Sequence, residues 1–111
     1  MATYRFYAQL QKDRSNLATS AGTFSSPPTN SEAINVVEGI RSKGRSELPR
    51  DARDDFESAV DDMISWIRNL RGSGMSFNGN GDVHRETFRD DGDEYRLDIG
   101  IGGETSGKWF V

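Results

Sequence analysis

The 111-residue chain contains no cysteine. That excludes disulfides, thiolate nucleophiles, zinc ribbons and cysteine-held iron–sulfur clusters. Histidine occurs once, at position 84. A serine nucleophile therefore has a single candidate imidazole base, and no Gly-x-Ser-x-Gly elbow surrounds any serine. No stretch approaches the ~18 consecutive apolar residues of a membrane-spanning helix, and the chain does not open on a basic region followed by an apolar core. The expectation is a soluble, cytoplasmic protein with no membrane association and no cofactor.

Eleven aromatic residues (two Trp, three Tyr, six Phe) and twelve glycines are present. Together with the aliphatic residues they suffice for one packed core, so residues 1–111 read as a single domain.

Tyr4, Phe6, Ala8 and Leu10 alternate with Arg5, Tyr7 and Gln9, the period of a half-buried strand. Residues 12–16 form a polar turn, residues 17–24 a weaker return strand, and Ser25-Ser26-Pro27-Pro28 a break. Thr29-Asn30-Ser31-Glu32 is a capping box opening a helix through Ala33, Ile34, Val37 and Ile40, with Gly44 as its stop. Residues 41–50 read as a basic connector carrying Arg41, Lys43, Arg45 and Arg50.

A second helix follows, because Ala52, Phe56, Ala59, Val60, Met63, Ile67 and Leu70 make one apolar stripe. Asn78-Gly79-Asn80-Gly81 signals a hairpin, and Asp90-Asp91-Gly92-Asp93 a second turn. Tyr95, Leu97, Ile99 and Ile101 alternate cleanly, and residues 108–111 form a short last strand. The fold class is α+β: an N-terminal strand or hairpin, two helices, then an antiparallel meander, with the helices on one face of the sheet.

Gly102-Gly103-Glu104-Thr105-Ser106-Gly107-Lys108 has phosphate-loop spacing. Trp109 stands where a magnesium-binding hydroxyl belongs, and too few residues follow for a helix. It reads as a hairpin loop. Asn78, Asn80 and Asp82 resemble the start of a calcium loop, but Val83 and Arg89 replace the required Gly and Glu.

Asp82, His84 and Glu86 alternate and would share one strand face, which is the alternative reading of a metal-assisted hydrolase. The basic connector has no interleaved aromatic residues, so direct nucleic-acid binding is not expected. Lys108-Trp109-Phe110-Val111 is either an edge strand tucked into the core or an apolar tail held by a partner.

The distribution of charge points outward. Fourteen of eighteen acids follow Arg50, and six fall between Asp51 and Asp62, against a net charge of −4. Asp51, Asp54, Asp55, Asp61 and Asp62 form a polar face opposite the apolar stripe. Like charges ~5–6 Å apart repel by a few tenths of a kcal/mol per pair.

The expectation is a non-enzymatic protein that binds a basic partner protein stoichiometrically through these five residues. An inhibitor or immunity (anti-defence) protein against a nucleic-acid-handling machine, of the kind phages encode, fits this pattern. A structural subunit of a phage-like assembly is a third class, and the sequence leaves the oligomeric state open.

Overall fold

A computed structural model describes residues 2–111. Six strands and two helices follow in the order β1 (Tyr4–Lys12), β2 (Ser15–Phe24), α1 (Asn30–Ser46), a 3-10 turn Arg50–Ala52, α2 (Arg53–Arg68), β3 (Met75–Ser76), β4 (Gly81–Asp90), β5 (Asp93–Gly103) and β6 (Lys108–Trp109). The main sheet is antiparallel with strand order β2-β1-β5-β4, and β3 pairs with β6 in a second, two-stranded sheet.

The alternation of β1 and β5 divides the sheet into two faces. Tyr4, Phe6, Ala8, Leu10, Tyr95, Leu97, Ile99 and Ile101 are buried. α1 covers β1 and β2, and α2 covers β4. Arg5, Tyr7, Gln9, Arg96 and Asp98 point to the uncovered face, in register opposite one another (Tyr7 with Gly100, Gln9 with Asp98).

The capping box forms as the sequence predicts. Glu32 N donates to Thr29 Oγ1 at 3.2 Å and Thr29 N to Glu32 Oε1 at 3.0 Å. The stripe of α2 is buried from Phe56 to Ile67.

Gly44 departs from its expected role. It lies inside α1, which runs on to Ser46, and is buried. A Cβ there would sit 2.3 Å from Phe56 Cζ, so the absent side chain is what lets the α2 ring approach. Gly44→Ala is therefore expected to lose about 1–2 kcal/mol, overpacking outweighing the ~1 kcal/mol gained in helix propensity. Chemical denaturation checks this.

Asn78-Gly79-Asn80-Gly81 does not close a hairpin either. β3 pairs with β6 rather than β4, and the segment passes the chain from the small sheet to the main one. Gly79 and Gly81 do adopt positive φ (97° and 133°), so the local conformational signal is real although its partner differs. The turn at residues 90–93 forms as expected, with Asp90 opposite Asp93 and positive φ at Asp91 and Gly92.

Two of the last four residues lie in the core. Trp109 and Phe110 are fully buried and pack edge-on against Tyr4 and Phe6 at ring-centroid distances of 5.9 and 5.3 Å. Phe110 N donates to Pro28 O and Asn30 N to Val111 O. The edge-strand reading of this segment holds and the free-tail reading does not. Buried Asn30 also donates from Nδ2 to the Ile67 carbonyl at 2.5 Å, tying the start of α1 to the end of α2. No helix among the described residues is long and apolar enough to cross a membrane.

Candidate functional site: an acidic pole

Burying Phe56, Ala59, Val60 and Met63 turns Asp54, Asp55, Asp61 and Asp62 outward, and Asp51 is exposed on the preceding 3-10 turn. The five acids are nevertheless not equivalent. Asp61 accepts from Arg41 Nη2 at 2.8 Å, and the same guanidinium binds Glu38 and Glu57. Arg41 belongs to α1 rather than to a connector, and it spans the two helices. Hydrogen bonds donated to Glu38 foremost, against some desolvation, and then to Asp61 and Glu57 hold it firmly protonated. Asp61 thus shares one intramolecular cation with Glu38 and Glu57.

Asp51 and Asp54 line a shallow cleft of about 410 Å³ together with Arg45, Arg50 and Arg53. The start of α2 is thus of mixed sign on that side. On the other side β4 packs against α2 and the 3-10 turn, and acids from the β4–β5 turn join those of the helix. The Asp90 carboxyl is raised above its ordinary range by partial desolvation and by the charges of Asp51, Asp91, Asp55 and Asp93. The packing of β4 on α2 and the 3-10 turn thus brings Asp90 and Asp91 toward Asp51 and Asp55, acids 35 to 40 positions away in sequence. Asp93 is offset by Lys12 at 3.1 Å, whereas Asp51, Asp54, Asp55, Asp62, Asp90 and Asp91 have no ion-pair partner among the described residues.

The raised Asp90 carboxyl makes a prediction with a definite sign. The folded protein takes up this proton at higher pH than the unfolded chain does. The linkage therefore favours the folded state at low pH and is lost as pH rises through the raised value. At neutral pH the charge is a cost, so Asp90→Asn should raise Tm. The gap should close near pH ~3, where the wild-type carboxyl is protonated in both states. Thermal melts at the two pH values check this.

Asp82, His84 and Glu86 do not share a face, which corrects the metal-triad expectation. The β4 register shifts between Asp82 and His84, and this bulge sends Asp82 to the uncovered face of the sheet. There Asp82 lies 3.5 Å from Arg85 and faces Tyr7, whose phenol is raised by desolvation first and then by the charges of Asp82 and Asp98. His84 and Glu86 stay on the helix side, Nε2 to Oε2 at 2.6 Å, with the imidazole stacked on Trp66 at 4.2 Å. No group of three or more His, Asp or Glu side chains is placed to hold a metal among the described residues.

The 102–108 loop is likewise occupied by its own side chain. Glu104 accepts from the Thr105 and Ser106 amides at 3.0 and 2.9 Å, and these bonds, chiefly those from Ser106, lower its carboxyl. An anionic phosphate would meet that carboxylate rather than free amides.

Sequence reasoning missed Asp90 and Asp91 as members of the pole, and Asp98 on the open sheet face. Asp98 is buried on the face that no helix covers, and its carboxylate accepts from Arg85 Nε at 2.6 Å and Nη2 at 3.4 Å. The cue for the first was the second acid run itself, which resembled turn chemistry. Compared with protein-family models, curated proteins and solved structures, the chain has no match, so the acidic pole stands on its geometry alone.

Proposed function

We propose that this protein is a non-enzymatic binder whose acidic pole, centred on Asp51, Asp55, Asp90 and Asp91 and extended by Asp54 and Asp62, docks on a basic surface of a partner protein. Within that reading it acts in the cytoplasm as a stoichiometric inhibitor or immunity protein of a nucleic-acid-handling partner.

The observation that carries it is the convergence of α2 and the β4–β5 turn, which stacks like charges where solubility alone would favour interspersed lysines. Such a pole costs folding stability and gains long-range attraction for a cationic surface, so association is fast and salt-sensitive. Asp61, tied to Arg41, contributes least.

Capture from lysate of the native host tests the proposal with three baits. One is wild type. A second carries Asp51→Asn, Asp55→Asn and Asp91→Asn, and a third carries Ser26→Lys, Ser31→Lys and Thr87→Lys, all at exposed positions. The two variants change net charge equally, at and away from the pole. A basic protein recovered by wild type should be retained by the lysine variant and fall about tenfold with the asparagine variant. Equal recovery by both variants would refute the pole as the binding surface.

A further inference from the structure

The two edges of the main sheet are built differently. β4, at one edge, carries Asp82, Arg85, Glu86, Arg89 and Asp90 and is kinked by a bulge. Charges and bulges of this kind are how natural sheets block edge-to-edge pairing. β2, at the other edge, has no charged residue and no proline in Ser-Asn-Leu-Ala-Thr-Ser-Ala-Gly-Thr-Phe. Its only irregularity is near its start, where Leu10 pairs with Ala18 and Gln11 with Asn16; from Ala18 to Phe24 the strand is regular. The Thr19 carbonyl accepts from Lys43 Nζ at 3.3 Å instead of from a strand, which marks Thr19, and by alternation Ala21 and Thr23, as the residues whose backbone groups point outward.

We infer that β2 is the interface of a twofold homodimer, pairing antiparallel with β2 of a second copy about Ala21 to give a continuous eight-stranded sheet.

Self-complementarity selects a second copy as the occupant. The regular segment Ala18–Phe24 has Ala21 at its centre, so an axis there opposes Thr19 to Thr23, Ser20 to Gly22 and Ala18 to Phe24, with no like charges in any pair. α1 repeats the same symmetry. Glu32, Val36, Gly39 and Lys43 form one stripe along its β2 side at helical spacing. A Cβ on Gly22 would lie 3.1 Å from Val36 Cγ2, and one on Gly39 would lie 2.5 Å from Ser20 Oγ. Ala21 therefore lies level with the midpoint of Val36 and Gly39, which is also the midpoint of Glu32 and Lys43. The axis that centres the strands thus brings exposed Glu32 of each copy to exposed Lys43 of the other. Lys43 leaves the Thr19 carbonyl to the incoming strand and gains a carboxylate partner.

Light scattering and sedimentation across a concentration series test the inference, with circular dichroism confirming that each variant is folded. Wild type should approach twice the 12.4 kDa chain mass as concentration rises. Thr19→Lys, Ala21→Lys and Thr23→Lys together place three like-charge pairs across the axis on exposed positions and should raise the dimer Kd about a hundredfold. Glu32→Lys and Lys43→Glu should each weaken it about fivefold, and the two combined should restore it. A single-chain mass at every concentration up to the millimolar range would overturn the inference. So would a dimer that survives the three lysines, or a charge swap that fails to rescue.

Discussion

Trp109→Ala combined with Phe110→Ala leaves the chain without a cooperative unfolding transition. Both side chains are fully buried. Trp109 meets Tyr4, Phe77 and Phe110, and Phe110 also meets Phe6 and Trp66, all edge-on with centroids between 5.3 and 6.4 Å. Truncating a buried aromatic costs about 3–5 kcal/mol through lost transfer energy and the cavity left behind. Two adjacent truncations therefore consume most or all of the ~5–15 kcal/mol that holds a small domain together. Neighbouring sites are not strictly additive, but both cavities open on one cluster whose collapse would also release β6 from β3. Near-ultraviolet circular dichroism and urea titration provide the readout. Val111→Ala serves as the control, since that side chain is 54% exposed and should change little. A cooperative transition close to wild type in the double variant would return these residues to the status of a peripheral tail.

Arg85→Ala is expected to cost about 2–3 kcal/mol although Arg85 itself is half exposed. The cost lies with its partner. The Asp98 side chain is 2% exposed on β5, and removing the guanidinium strands its carboxylate. Breaking a fully buried pair costs ~3–5 kcal/mol, and the value here is lower because the arginine side of the bond remains open to water. The reverse change is cheaper: Asp98→Asn leaves a solvated arginine and no buried charge, so about 1 kcal/mol is expected. The double variant Arg85→Ala, Asp98→Asn should recover most of what Arg85→Ala loses. Equal costs for the two single variants, or no recovery in the double, would show that the pair does not govern this face.

Much of the scaffold is legible in the residues because it is local. The alternation from Tyr95 to Ile101, the α2 stripe, the Thr29–Glu32 capping box and the Asp-Gly turn at residues 91–92 each depend on neighbours within a few positions. What was not legible depends on residues distant in sequence. Gly44 ends a periodic run and so resembles a stop, whereas its role is set by the Phe56 ring on another helix. Nothing in Asp82-Val83-His84 marks a bulge, since no glycine or proline stands there, yet that one extra residue separates Asp82 from His84 and dissolves the apparent triad. The Asn-Gly pair at residues 78–79 states a backbone preference and says nothing of which strand Met75–Ser76 will join. Arg41 reads as part of a basic linker because its carboxylate partners Glu57 and Asp61 lie on the next helix.

The candidate site has the same character. Exposure of Asp54, Asp55, Asp61 and Asp62 follows from the stripe they oppose, so the acid face of α2 could be drawn from the sequence. Its partition into an Asp61 paired with Arg41, a mixed-sign cleft at Asp51 and Asp54, and a pole shared with Asp90 and Asp91 required the sheet to bring the β4–β5 turn alongside α2. That partition moves the centre of the site from the middle of the helix to its beginning.

The functional reading rests on that convergence, and the titration of one carboxyl tests it. Carbon-detected NMR follows the Asp90 carboxyl with pH in wild type and in Asp51→Asn, Asp55→Asn. The midpoint should lie above the ordinary aspartate range in wild type and move back toward it when the two helix-side charges are removed. An ordinary midpoint in wild type, or one indifferent to the two substitutions, would mean that the acid runs do not meet and that the pole does not exist.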